Sequence, residues 1–428
     1  MSIDTNPPIR GSAPTVPSMS ARTLVLWIGD HHGPVLAQPS RDIVGTIAMR
    51  LPHAPRNRKT LRKARHELGL GVALDTEAWR NQCRADHMLR APAFRQRGFD
   101  VRDVFGRPRL DIDRPLTPGQ ISEYAEAHLQ AQEPFDPTIF QCPGHVPAGL
   151  VALENDLALA QATLDLVERR ALREPHESDG YELRRSVFAT VCVCPGQLDT
   201  EWIRTLVDRY VTLNVDGFWI WPLNFQPSGV QTERVLALAL ALQENSGLPA
   251  VPGAIMNLWQ AALARGAAAA VAGPDRGSLE FAPDEAPPPP PPEPDEDEEE
   301  EDGRQIATYH GAILSAFGFD KRGERARARV FQRNPCPCGF HAAGVPPKGR
   351  VEVSAHNQWW RLLEARRACV GASAVASRRL ESRFARAREE RLAAGIKSGL
   401  AVGWHRSLEP WERMPVGWGA ADGRAATG

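Results

Sequence analysis

Cys336 and Cys338 stand one residue apart in the segment NPCPCGFH. His341 closes that segment, and His356 follows fifteen residues later in HNQWW. Thiolates and imidazoles in such numbers wrap a tetrahedral metal ion. Pro335, Pro337 and Gly339 bend the backbone between them, which lets both sulfurs and the His341 ring converge on one point. His356 opens a helical pattern over 356–368 and completes a Cys2His2 set. Four protein ligands leave no open position, so the expected ion is a structural zinc and not a catalytic one. Two free thiols and two unrelated histidines are the alternative. His310 and His405 are less well placed for the same ion.

A second class of candidate lies at the ends of apolar runs. Asp75 ends LGVALD, and Asp30-His31-His32 follows TLVLWIG. At the C-terminal end of a strand in a parallel barrel, such groups face the mouth where reactions occur. Thr76-Glu77 follow Asp75, so a helix N-cap is its competing role. Adjacent histidines point apart more often than together, which weighs against a metal site at His31-His32. Cys192 and Cys194 lie two residues apart in SVFATVCVC and share one strand face, as core residues or as a pocket wall. A cysteine nucleophile needs a base partner, and the sequence points to none. Trp359-Trp360 read as core packing around the zinc site.

These groups need elements to position them. Apolar runs at 23–29, 70–75, 137–143, 186–194, 216–223, 248–255 and 267–273 read as seven short strands buried on both faces. Amphipathic stretches at 121–132, 154–170, 201–210, 232–243 and 257–265 read as helices between them. Strand–helix alternation of this density over about 260 residues predicts a (β/α)8 barrel. A doubly wound sheet is the alternative, and no G-x-G-x-x-G follows the first run to favour a dinucleotide fold.

Composition bounds the rest. The chain has 428 residues, 42% of them hydrophobic, with 51 Lys and Arg against 52 Asp and Glu, for a net charge of −1. No global field recruits a partner, so any attraction to nucleic acid must be local. No apolar run is long enough to span a bilayer. Seven cysteines, four of them in C-x-C pairs, do not resemble a disulfide scaffold and predict a reducing cytoplasm. Residues 1–22 read as a disordered leader. Residues 283–303, PDEAPPPPPPEPDEDEEEEDG, read as an extended proline-rich acidic loop, a possible contact for a protein partner. Behind it, 304–428 carries 22 Lys and Arg against 10 Asp and Glu, or +12. The basic segments 321–333 and 378–391 are either solvated faces or phosphate contacts.

CPCGFH and HNQWWRLLEARR resemble the zinc signature of the transfer-RNA guanine transglycosylases. That signature is C-x-C-x-x-C followed by a distant His-Asn at a helix start; His341 stands at the third cysteine. The spacing to His356 is shorter than the family usually shows. FATVCVCPGQ, LNVDGFWIWPLNFQPS and LPAVPGAIMNLWQAALARGAAAAVAGPDRG look like the family's run of F-G-I-V-Q-G, D-G-Y-A-I-G-G-L and G-V-G-T-P-E-D…A-V-E-R-G-V-D. GVALDTEAWRNQ resembles its T-D-S-G-G-F-Q strand end. The resemblance spans about residues 70–368 and rests on the order of the motifs.

The resemblance implies base exchange. A carboxylate attacks C1′ of a guanosine in nucleic acid, and a 7-deazaguanine replaces the displaced guanine. Asp75 aligns with the family's proton-transfer aspartate. The family's nucleophile falls near Val271, where no carboxylate stands; Asp275 is the nearest replacement, with a plain turn aspartate as its other role. The second guanine-contacting aspartate falls near Gln141, the glutamine near Cys192, and the Gly-Gly pocket floor at Trp221-Pro222. Glutamine and tryptophan can still face a purine, by hydrogen bonds and by stacking.

The expectation is therefore a transglycosylase-like barrel over 23–282, a loop over 283–303, a zinc-binding subdomain with closing helices over 304–400, and a tail over 401–428. Its expected activity is that of a pentosyltransferase on tRNA or DNA, away from membranes. A barrel without catalysis that binds nucleic acid, or scaffolds a modification complex, is the alternative.

Overall fold

Short runs of small and branched apolar residues form the strands, and their two faces enter different cores. The computed structural model describes residues 23–28, 43–76, 78, 110–170, 172, 185–222, 229–253, 258–272, 308–310, 312, 315–317, 321–369 and 373–394. Eight parallel strands are β1 (Thr23–Trp27), β2 (Val44–Arg50), β3 (Gly71–Asp75), β4 (Ile139–Gln141), β5 (Ser186–Val193), β6 (Gly217–Pro222), β7 (Ala250–Pro252) and β8 (Ala269–Ala272). They neighbour one another in the order β7-β6-β5-β4-β3-β2-β1-β8. Chain order is thus kept from β1 to β7, and β8 returns beside β1. β7 and β8 lie close to each other, so the sheet forms a nearly closed barrel of the (β/α)8 type.

Strand residues alternate between two cores. Leu24 and Leu26 of β1 join the outer core under the helices. Val25 and Trp27 join the inner one, with Ala73, Ile139, Phe188, Trp219 and Val271. The expected strands all form, and one more appears. β2, VGTIAMR, is the strand that the apolar runs did not reveal. Asp75 therefore ends the third strand and not the second, and Val271 lies on the eighth and not the seventh.

The barrel helices are α1 (Arg58–Arg62), α2 (Pro118–Gln132), α3 (Leu150–Arg169), α4 (Thr200–Tyr210), α5 (Gly229–Ser246) and α6 (Leu258–Arg265). α2 starts three residues before its hydrophobic pattern. Thr117 and Gln120 form a reciprocal capping box there, with Pro118 in the first turn. Asp199 caps α4 by accepting from the Trp202 N–H at 2.7 Å. Gly247 and Gly266 follow α5 and α6 with φ of +72° and +103°, the left-handed conformation that ends a helix without a Cβ clash.

At the N-terminal rim, Asp136 precedes β4 with φ of +51°. Its carboxylate pairs with Arg65 and Arg185, each only 5% exposed. This three-residue clamp ties the approaches to β3, β4 and β5, at the end where barrels place stability and not reaction chemistry.

Behind β8 come a hairpin of β9 (Thr308–His310) and β10 (Ser315–Phe317), then α7 (Lys321–Arg333), α8 (Gly349–Cys369) and α9 (Ser373–Ala393). α8 begins seven residues before its expected start, where the Glu352 carboxylate accepts from the Lys348 N–H at 2.8 Å. α8 packs on α6, β9 and β1, and α9 packs on α6. Leu362, Ala365 and Ala368 of α8, with Ala376, Leu380 and Ala387 of α9, belong to the barrel's outer core. α8 thereby covers the barrel wall beside β1, the position due to the helix that follows an eighth strand.

Candidate functional site

Strand register brings Asp75, Gln141, Cys192 and Trp221 to one end of the barrel. Asp75 stands opposite Arg50, Gln141 opposite Phe188, and Cys192 opposite Trp221. Each shares its strand's inward parity with Ala73, Ile139, Phe188 and Trp219 of the inner core. Each also ends or nearly ends its strand, so the four face the C-terminal mouth. All four are buried, between 0% and 3% exposed. The four come from separate strands, far apart in sequence.

The same end of the barrel carries four further residues that sequence reasoning missed. Trp27 stacks on Trp221 with ring centroids 5.1 Å apart and planes 28° from parallel. A Cβ on Gly253 would meet the Trp221 ring at 2.2 Å, so only glycine leaves room for that indole. Thr190 and Trp219 pair across β5 and β6 one step deeper. Trp219 left a signal: alternation in GFWIWP puts it on the face of Trp221.

Polar groups in this mouth are underused. Gln141 Nε2, Thr190 Oγ1, Trp219 Nε1 and Trp221 Nε1 are buried with no hydrogen-bond partner among the described residues. Leaving one such group unsatisfied costs about 1–3 kcal/mol. Three of the four can only donate. The arrangement suits a ligand that presents acceptors.

Cys192 is fully buried, which disfavours the thiolate form. Burial pushes its thiol well above the usual range, and the nearby Asp156 and Asp75 carboxylates push the same way.

A buried polar network backs the mouth. The Gln132 side chain accepts from the Gln141 N–H at 3.0 Å and donates to the Gln141 carbonyl at 2.9 Å. It also donates to His128 Nδ1 at 3.2 Å, which leaves Nε2–H of that ring to donate to Thr76 Oγ1. Burial, aided by His145, lowers the His128 pKa to about 3, so the ring is neutral. In the loop after β4, the His145 backbone N–H and Nδ1 reach Asp156 Oδ1 at 3.0 and 2.9 Å. Tyr210 donates to the other oxygen at 2.6 Å. Burial raises the Asp156 pKa even against these bonds. The network fixes the ends of β3 and β4 without exposing a reactive group.

Val271, where the resemblance aligns a nucleophile, is a fully buried inner-core residue of β8. Asp275, Asp30-His31-His32, His405 and the 283–303 run lie outside the described residues.

The second site is compact in sequence. Ligand atoms of Cys336, Cys338, His341 and His356 all lie within 4.8 Å of one another, a set that could hold a metal ion. Cys336 and Cys338 Sγ are 3.5 and 3.4 Å from His356 Nδ1, and His341 Nε2 is 2.9 Å from it. A tetrahedron with metal–sulfur bonds near 2.3 Å and metal–nitrogen bonds near 2.0–2.1 Å has edges of roughly 3.3–3.8 Å. The sulfur–nitrogen edges fit; a small turn of the partly exposed His341 ring opens the nitrogen–nitrogen edge. His341 Nδ1–H donates to the Ala342 carbonyl at 3.2 Å, which directs the Nε2 lone pair inward. Gly339, with φ of +77°, makes the turn between Cys338 and His341. A hydrogen bond from Cys336 lowers the Cys338 thiol to about 4, while the same bond and burial push Cys336 up.

His310 is close but not a ligand. Its Nε2–H donates to the Asn334 carbonyl and its Nδ1 accepts from the Ala312 N–H, both at 3.1 Å. Burial lowers its pKa to about 3. It packs edge-on against Phe331 at 4.5 Å and buttresses the cluster.

The sequence matches no protein-family model and no curated protein. Among the described residues, no helix is long and apolar enough to cross a membrane.

Proposed function

We propose that this barrel exchanges a guanine-type base in nucleic acid, tRNA or DNA, for a 7-deazaguanine-type base. The observation that carries the reading is the convergence of Asp75, Gln141, Cys192 and Trp221 on one buried mouth. These are the positions that the resemblance assigns to proton transfer and base contact. The unpartnered donors of Gln141, Trp219 and Trp221 suit the acceptor edge of guanine, O6 and N7.

In this reading Asp275 attacks C1′, the C1′–N9 bond breaks, and Asp75 hands a proton to the departing base. Asp75 then recovers a proton from the incoming base as its ring nitrogen attacks C1′ and frees the Asp275 carboxylate. The Cys2His2 cluster holds a structural zinc in a reducing compartment. Bound zinc supplies folding energy and no chemistry.

Denaturing electrophoresis of enzyme with a labelled guanosine oligonucleotide tests the nucleophile. A covalent adduct is expected from the wild type and none from Asp275→Asn. An adduct that survives Asp275→Asn would contradict the assignment. A binding-only barrel is the second reading, favoured by the apolar Val271 at the aligned position. Binding without any adduct or exchange would select it.

A further inference from the structure

Away from the barrel mouth, a cavity of about 490 Å³ opens between α8 and α9. Its walls carry Arg366, Arg367, Arg379, Arg383 and Arg386. A second cavity, of about 640 Å³, extends past Asn334, Pro335 and Trp360, next to the metal cluster. Arg367, Arg383 and Arg386 line both, so the two form one continuous groove. With Arg333, six arginines face three glutamates along it.

Two of the arginines are pre-arranged. Glu364 is fully buried in the floor. Its two oxygens take both terminal nitrogens of Arg383, one at 2.6 Å, and Arg367 adds a bond at 3.2 Å. Both guanidinium planes are held in place while each side chain keeps some exposure, 22% and 48%. A guanidinium held by a carboxylate beneath it still has donors for a ligand above. Glu390 is occupied by Arg333 at 3.5 Å and by Asn334 at 3.0 Å. Arg386, which borders both cavities, has no hydrogen bond or ion pair among the described residues.

We propose that this groove binds successive phosphates of the nucleic-acid backbone, with Arg386 as a direct contact. Arginine forks match phosphate oxygens two at a time. One free phosphate occupies one or two forks, whereas a groove of six arginines against three glutamates, or +3, asks for a polyanion. The proposal rests on the base-exchange reading for the identity of that polyanion, and on the groove alone for its cationic chemistry.

The test is fluorescence anisotropy of the full chain with a labelled oligonucleotide over a salt series. Arg386→Glu should weaken binding about tenfold and flatten the salt slope by roughly one unit; Arg386→Lys should keep most of both. Inorganic phosphate at equal ionic strength should compete no better than chloride, which separates a backbone from a free anion. Wild-type affinity and slope in Arg386→Glu would overturn the proposal. So would binding of a poly-glutamate peptide through Arg386 when the oligonucleotide does not bind. Base exchange measured on the same samples separates the two ideas. If only the exchange reading fails, the wild type exchanges nothing yet still binds through Arg386. If only the groove fails, exchange proceeds and Arg386→Glu binds as the wild type does.

Discussion

The barrel mouth and the Cys/His cluster are built in opposite ways. The cluster draws four ligands from 336–356, and their atoms already sit at near-ligation distances. The mouth draws Trp27, Asp75, Gln141, Thr190 and Trp221 from five strands and leaves several of their polar groups without partners. A site made by a local turn announces itself through spacing. A site made by register does so only after every strand and its parity are known. The cluster brings its ligand atoms within 4.8 Å of one another; the mouth leaves buried donors without partners among the described residues.

The largest expected effect comes from breaking the cluster. Structural zinc contributes on the order of 10 kcal/mol in small sites, so Cys338→Ser or a strong chelator should unfold the turn before α8. Because α8 packs on β1 and α6, hydrogen exchange should rise in those two elements as well. Loss confined to 334–348, with β1 and α6 unchanged, would show that the cluster does not brace the barrel.

Next comes a contrast between the barrel's two rims. Asp136→Ala removes the carboxylate shared by two buried arginines and places alanine at φ of +51°. Denaturant titration should show a loss of about 1–3 kcal/mol, because Asp136 is 38% exposed and Arg65 keeps its bond to the Asp136 carbonyl. Asp75→Asn at the mouth should stay within about 1.5 kcal/mol of wild type in the same titration. Equal losses would erase the distinction between a stabilising rim and a functional one.

How legible each region was follows from the same contrast. Seven strands were read from apolar runs, but β2 was not. Its seven residues include Gly45, Thr46 and Arg50, which dilute the pattern. A Cβ on Gly45 would press on the Thr23 side chain at 3.1 Å, a tight contact invisible in the sequence. The network behind the mouth did leave a trace. Asp156 interrupts the apolar stripe Leu153, Ala160, Leu164, Val167 of α3, and His128 and Gln132 continue the stripe of Tyr124 on α2. A charged or amide residue at a buried helical position marks a partner across the interface. Which partner it meets was set by β4 and its loop, and these come together only in the fold.

Gly253→Ala sharpens the view of the mouth. The added methyl needs the space of the Trp221 ring, and overpacking of this kind costs about 1–3 kcal/mol. Oligonucleotide binding by the barrel should fall with little change in metal content. Unchanged binding would mean that the Trp27–Trp221 stack is not part of the site.

At neutral pH the smallest effect comes from His128, whose contribution changes only in acid. The folded pKa of His128 is lowered to about 3 from 6.5. The unfolded chain therefore takes up a proton below pH 6.5 that the native ring refuses. This contribution is fully present above pH 6.5 and declines as pH falls toward 3, by up to about 1.4 kcal/mol per unit. His128→Gln should flatten that part of the stability profile, while zinc-bound and zinc-free protein should share it. An identical slope in His128→Gln would assign the acid sensitivity elsewhere.

The most direct test of the central claim is nucleoside mass spectrometry on DNA and tRNA from cells with the wild-type chain, with Asp75→Asn, and with neither. A 7-deazaguanine nucleoside should appear in one of the two nucleic acids with the wild type and fall sharply with Asp75→Asn. Identical nucleoside profiles in all three, from cells supplied with the modified base, would contradict the base-exchange account.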